Sequence, residues 1–179
     1  MVEVSTEAGE QFHGLSLLSE VDPEVRSAVL GVLAERTVAA GALLLTQGQP
    51  NDHLCFLVGG SATVERKKAD GQPETLATLR APTLVGTTSF FTTKPPNFSV
   101  RAATEARLLT LDHPSHDRLR RENPRAAEAL AVAALRVLSE RFEELDRTFS
   151  TYIANHPDDQ PKVTEWAGFR ARLFQEPGA

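Results

Sequence analysis

The spacing of hydrophobic positions changes twice along the chain, from helical to strand-like and back to helical. The first residues are polar and aperiodic, so we expect a flexible arm over residues 1–11, with order beginning near Leu15. From Asp22 to Leu33 the apolar positions fall on one face of a helix, with Asp22 as N-cap and Pro23 at the first helical position. This pattern predicts an amphipathic helix.

Between Thr37 and Asp112 the apolar residues come in runs of about four to eight, separated by Gly, Pro, Asn and Asp. The predicted strands are Ala42–Thr46, His53–Val58, Ala62–Arg66, Thr75–Leu79, Phe98–Ala103 and Arg107–Asp112. A series of short strands hides its edges by closing into a barrel or jelly roll. The predicted fold class is therefore mainly β with flanking helices, a jelly-roll β-barrel over residues 12–123 followed by a long helix.

The helical spacing that returns after Pro114 is longest over residues 124–152, which we predict to be a dimerisation helix. Apolar side chains alternate there at spacings of three and four, as in a helix–helix seam. The members of this seam are Leu135, Leu138, Phe142, Leu145 and Phe149, and Tyr152 continues the spacing. The seam packs either on its own barrel or on the same helix of a second copy, and we expect a homodimer.

The remaining residues, 153–179, are predicted to be a linker and a short docking helix. Trp166, Phe169 and Leu173 share one face of that helix. A soluble chain rarely leaves three large apolar side chains exposed together. The tail is therefore expected to dock, either on its own chain or on another.

Composition narrows the class of protein. The chain has 179 residues, 41% hydrophobic and 24% charged, which is typical of one globular domain. Its 19 Lys and Arg against 24 Asp and Glu give a net charge of -5, which does not favour DNA or an anionic membrane surface. No apolar stretch approaches the roughly 20 residues of a membrane span. With no signal-peptide pattern at its start, we expect a cytoplasmic protein.

Catalytic and metal-binding patterns are weak in this sequence. Cys55, the only cysteine, lies in an apolar run and is interpreted as a buried, unreactive thiol. His113 and His116 are three residues apart with no nearby cysteine, which is a poor metal site. No serine lies in a nucleophile elbow. We therefore expect neither an enzyme nor a metal protein.

The segment GALLLTQGQPNDHLCFLVGGSATV, from Gly41 to Val64, resembles the front half of a cyclic nucleotide-binding domain. The resemblance continues through Leu76–Leu79, Gly86, Val100–Ala102 and Leu108–Asp112 and covers about residues 12–145. It is to the catabolite-activator and protein kinase A regulatory-subunit type. The resemblance implies a phosphate-binding cassette, in which a short helix begins at a Gly-Glu pair and an Arg follows on the next loop.

In this cassette the resemblance implies that helix N–H groups and the Arg hold the cyclic phosphate, while the Glu binds the ribose. Here Thr87 occupies the Glu position and Pro96 the Arg position, and Phe98 stands where a small residue is usual. A lost Arg–phosphate contact costs roughly 1.5–3 kcal/mol, or ten- to a hundredfold in affinity. The degenerate ligand-binding positions are Gly86, Thr87, Thr88, Ser89, Pro96, Asn97 and Phe98.

A lysine and three phenylalanines could still affect ligand binding at this cassette. Lys94 is either an exposed loop lysine or a replacement cation for the phosphate. Phe90, Phe91 and Phe98 are either ordinary core residues or partly a plug of the vacated pocket.

Two functions follow from these observations. One is a non-catalytic regulatory module with a degenerate cAMP pocket, acting through dimerisation and a partner protein. The alternative is a sensor that binds a cyclic nucleotide or another small anionic ligand in the altered cassette. No cofactor is expected, and a bound cyclic nucleotide is disfavoured. Direct DNA binding is not expected either, since residues 153–179 are too few for a winged helix-turn-helix.

Overall fold

The computed structural model describes residues 4–68, 71–156, 164–166 and 168, without the side chain of Leu17. Its strands are β1 Ala34–Val38, β2 Leu43–Leu45, β3 His53–Gly59, β4 Ser61–Lys67, β5 Pro73–Arg80, β6 Thr83–Val85, β7 Ser99–Ala102 and β8 Ala106–Asp112. The helices are α1 Thr6–His13, α2 Pro23–Leu30, α3 Thr87–Thr92, α4 His113–Glu122 and α5 Pro124–Asn155, with a 3₁₀ turn at Ser16–Leu18.

The strands form two four-stranded antiparallel sheets in the described part of the chain. Their orders are β1-β8-β3-β6 and β2-β7-β4-β5, the arrangement of a double-sheet jelly roll. The predicted fold class, mainly β with flanking helices and a long C-terminal helix, is confirmed.

Strand β3 joins the two hydrophobic cores because its side chains alternate between the faces of its sheet. Leu54 and Phe56 point to the core under the helices, while Cys55 and Leu57 point to the core between the sheets. Both faces of this strand are buried, which explains why its sequence is an almost unbroken apolar run.

Residues 6–11 belong to α1, which corrects for them the expectation of a flexible arm over residues 1–11. Phe12 is fully buried and its ring packs edge-on against Phe56, with centroids 5.2 Å apart. The side chain of Ser5 caps the helix and also donates to Glu35 of β1 at 2.9 Å. Burial of a Phe side chain contributes about 1.5–3 kcal/mol, enough to hold a short helix in place.

Two strands were missed by the sequence pattern. β1 carries Glu35, Arg36 and Thr37 and shows no apolar alternation, yet it pairs along its length with β8. β6 has three residues, fewer than the pattern needs to show a period. α2 was predicted, and Asp22 caps it by accepting from the N–H of Glu24 at 2.8 Å.

Packing divides the chain into two compact units, residues 1–137 and 138–179. The first holds both sheets, α1 to α4 and the start of α5. The second holds the rest of α5 and the tail. Among the residues that the structure describes, no helix is both long and apolar enough to cross a membrane.

Candidate functional site

The cassette begins at Gly86, which lies between β6 and α3 with a φ of 87°. A side chain is strained in this left-handed conformation, whereas glycine adopts it freely. The surroundings add a second restriction, because a Cβ at Gly86 would lie 3.0 Å from the carbonyl oxygen of His53 and 3.1 Å from Asn51 Nδ2. Glycine is therefore required here for both its backbone conformation and its small size.

Asn51 fixes the start of the cassette from the preceding turn. Its Nδ2 donates to the carbonyl of His53 at 2.8 Å and to Ser89 Oγ at 2.9 Å. Ser89 Oγ donates in turn to the carbonyl of Gly86 at 3.2 Å. Sequence reasoning missed Asn51, whose only signal was its place in a polar turn. The network holds the first turn of α3 through side chains that carry no charge.

The predicted ligand-binding residues fall into two groups. Gly86 to Ser89 form a single turn, in which Thr87 and Ser89 are buried and Thr88 is exposed. The loop group is held by the backbone, since the N–H of Gly48 donates to the carbonyl of Pro96 at 2.9 Å. In this loop Pro96 is half-buried, and the exposed members are Lys94, Asn97 and Phe98.

Arg101, the first arginine after the cassette, is already bound within the second sheet. Its Nε donates to both carboxylate oxygens of Glu65, at 3.3 and 3.2 Å, and its guanidinium also donates to the carbonyl of Gly41 at 2.8 Å. Thr63 Oγ1 donates to the same carboxylate at 2.9 Å. This network holds the side chain of Arg101 against strand β4 and against Gly41, just before strand β2. Sequence reasoning missed it because Glu65 and Arg101 are far apart in the chain.

The phenylalanines of the cassette have different environments. Phe90 is buried in the core under the helices, stacked on His113 with ring centroids 4.4 Å apart. Phe91 and Phe98 leave 38% and 41% of their surface exposed. The interpretation as ordinary core therefore holds for Phe90 and not for the other two.

His113 and His116 pack against aromatic rings in this structure. His116 lies edge-on to Phe90 and Phe91, and burial, together with nearby Arg120, lowers the pKa of its imidazole. Within the described residues, no group of three or more metal-ligating side chains is present. The two imidazoles serve as packing surfaces between α3 and α4.

The thiol of Cys55 lies in the core between the two sheets. Burial raises its pKa to about 12, so the reactive thiolate is not populated at neutral pH. This is the environment of a structural cysteine.

The side chains of the seam are covered to different degrees. Leu135, Phe142 and Leu145 leave 62%, 43% and 49% of their surface exposed, and Leu138 and Phe149 are half-buried. The homodimer through this seam stays a prediction.

Of the predicted docking tail, only part can be described. Trp166 is 9% exposed and stacks on Phe149, with ring centroids 4.3 Å apart and an angle of 26° between the planes. Phe169 and Leu173 lie outside the described residues. At Trp166, the tail therefore contacts its own long helix.

Comparisons with known proteins give one consistent result. The sequence profile of the family described as "Cyclic nucleotide-binding domain" matches residues 35–123. A CRP-like cAMP-activated global transcriptional regulator from Mycobacterium tuberculosis is 26% identical over 134 residues, which are 74% of this chain and 58% of the regulator. A cyclic nucleotide-gated potassium channel from Mesorhizobium japonicum is 30% identical over 119 residues, which are 66% of this chain and 32% of the channel.

A solved structure supports the same fold. The crystal structure of a cyclic nucleotide-binding domain from Methylobacillus flagellatus aligns with a TM-score of 0.68 and 20% identity, covering 87% of this chain and 82% of that one. The chain thus shares the fold of this domain, while it spans less than two thirds of the regulator and of the channel.

Proposed function

The chain carries a domain of the cyclic nucleotide-binding family, and on this premise we propose that it is a non-catalytic regulatory module that does not bind cAMP tightly. It acts instead through self-association and a partner protein. In the names of both relatives a cyclic nucleotide is the input, to transcription in one and to a channel in the other. In this proposal the present chain keeps the regulatory fold, and its input is not cAMP.

The observation that carries this proposal is the charge of the cassette. The segment from Gly86 to Thr92 contains no charged residue. Arg101 is bound to Glu65 and Gly41, so it does not supply the missing cation. Lys94, two residues beyond this segment, has an exposed side chain. An anion brought against Gly86–Thr92 loses water without gaining a counter-charge from the turn itself, which costs several-fold to a hundredfold in affinity. This supports a pocket that is degenerate for cyclic phosphates.

Self-association is supported by the exposed seam. Three large apolar side chains, Leu135, Phe142 and Leu145, lie at helical spacing on α5 with 43% to 62% of their surface exposed. Each Leu buried on a partner contributes about 1.5–3 kcal/mol. A second copy presents the same spacing, so the two helices can interdigitate as in a coiled coil.

Sedimentation equilibrium tests this self-association. We expect the wild-type chain to be a dimer at tens of micromolar, and Leu145→Glu to raise the dimer dissociation constant about a hundredfold, because both copies lose the contact. Ser150→Glu adds the same charge to an exposed position off the seam and should leave the dissociation constant within a few-fold. A wild-type protein that stays monomeric would remove dimerisation of the chain with its tail in place from the proposal.

The second candidate is a sensor of another small anion, and the intact turn at Gly86 favours it. Gly86 keeps its left-handed φ at the start of α3, and no described side chain caps the first N–H groups of this helix. Thr88 beside them is exposed. Thermal-shift screening against cyclic mono- and dinucleotides separates the two candidates. A ligand at 100 times its dissociation constant adds about 2.7 kcal/mol, a shift that such a screen detects.

A further inference from the structure

The end of the seam is already occupied by the chain's own tail. Phe149 continues the three-four spacing of the seam, and the ring of Trp166 lies against it at 4.3 Å. Tyr152, the next position, has its ring stacked on His156 at 4.3 Å. These four residues, which we call the aromatic cap, lie together at the C-terminal end of α5.

A seam side chain in a two-stranded coiled coil inserts as a knob among four side chains of the facing helix. Such a knob has to present its ring to the partner, whereas Phe149 has one face stacked on Trp166. Trp166 itself is only 9% exposed, so its ring is packed against the chain in this position. A partner helix and Trp166 therefore compete for Phe149.

We propose that the tail limits self-association by occupying the last part of the seam. This inference rests on the proposed function, since it concerns the same dimer. With the cap closed, the exposed seam positions of the second unit are Phe142 and Leu145. With Trp166 displaced, the face of Phe149 joins them, about one helical turn further along α5. The tail thus sets how strongly two copies associate, and a partner protein that binds the tail would strengthen the dimer.

Sedimentation equilibrium on the full chain tests this competition with Trp166→Ala and, as matched control, the exposed neighbour Glu165→Ala. We expect Trp166→Ala to lower the dimer dissociation constant at least tenfold, whereas Glu165→Ala stays within twofold of the wild type. A wild-type monomer that becomes a dimer in Trp166→Ala also supports the competition. An unchanged or higher dissociation constant in Trp166→Ala overturns it while leaving the proposed dimer intact. If the wild type and both variants are monomers, the competition and the proposed dimer are both overturned.

Tryptophan fluorescence gives a second readout that needs no substitution, because Trp166 is the only tryptophan. If dimerisation displaces the ring from Phe149, its emission maximum shifts to the red as concentration rises, with the same midpoint as the increase in mass. An emission maximum that stays fixed while the mass doubles means that the cap persists in the dimer, and the competition is overturned.

Discussion

Arg101 Nε donates to both carboxylate oxygens of Glu65, at 3.3 and 3.2 Å, across the neighbouring strands β7 and β4. The side chain of Glu65 is only 13% exposed. The arginine that follows the cassette is therefore part of the sheet and is not available to a phosphate.

Glu65→Ala should reduce the free energy of unfolding by about 1.5–3 kcal/mol, because it leaves a partly buried guanidinium without its counter-charge. Glu74→Ala is the matched control, since Glu74 pairs with Arg66 on the same sheet at 3.1 Å with both side chains more exposed. An exposed pair contributes about 0–1 kcal/mol. Denaturation in urea measures both, and equal losses would contradict a structural role for the Arg101 pair.

Gly86→Ala tests the tight packing at the start of the cassette. Gly41 has the same φ of 87°, and a Cβ there would meet nothing within 4 Å. Gly41→Ala should therefore cost only the backbone strain, about 1–2 kcal/mol. Gly86→Ala should cost at least about 1 kcal/mol more, since its Cβ crowds the His53 carbonyl and Asn51. The same loss of stability in both variants, by urea denaturation, would show that the turn is loosely packed.

His116 should make stability depend on pH in the mildly acidic range. Its pKa is lowered in the folded chain by burial, so the unfolded state takes up the proton first as the pH falls. The stability that neutral His116 contributes is complete above its ordinary pKa of 6.5 and is lost as the pH falls through the lower folded value. His116→Phe keeps a ring against Phe90 and removes this titration.

The measurement is the unfolding free energy of wild type and His116→Phe from about pH 8 to about pH 5. Below about pH 6.5, the free energy of unfolding of His116→Phe should rise relative to that of the wild type. Asp112, whose pKa is lowered by its hydrogen bonds from Ser115, loses its contribution only below its ordinary value of 3.8, so the two effects separate. A constant difference across the range would mean that His116 does not change its environment on folding.

Much of the barrel could be predicted because local patterns decide it. β3 alternates between two buried faces and stands out as an apolar run, and Asp22 and Pro23 mark the start of α2 by their own chemistry. β1 could not be found in this way, since its polar residues are held by pairing with β8, and that partner is distant in the sequence.

In the candidate site, too, some features could be predicted from local sequence and others depend on contacts between distant residues. The positions of Gly86, Thr87 and Pro96 were available from the order of residues along the chain. The hydrogen bonds of Asn51 and the Glu65–Arg101 pair depend on turns and strands that meet only after folding. The stacking of Trp166 on Phe149 likewise joins residues that are distant in the chain, and the apolar spacing alone left the docking partner of Trp166 open.

The central claim is that the cassette does not bind cAMP tightly. Isothermal titration calorimetry with cAMP tests this claim most directly. The comparison uses the wild type, the rebuilt triple variant Thr87→Glu, Pro96→Arg and Phe98→Ala, and a control triple in which Thr88→Glu replaces the change at Thr87. Thr88 is exposed on the same turn, so the control carries the same charges with the acid misplaced.

We predict no binding by the wild type tighter than roughly 100 µM, since both the ribose acceptor and the phosphate cation are missing. The rebuilt variant should bind at least tenfold more tightly than the control triple, because a charge-assisted contact contributes about 1.5–3 kcal/mol. Micromolar or tighter binding of cAMP by the wild type would contradict the account and favour a working sensor, with Lys94 as the first candidate for the missing cation.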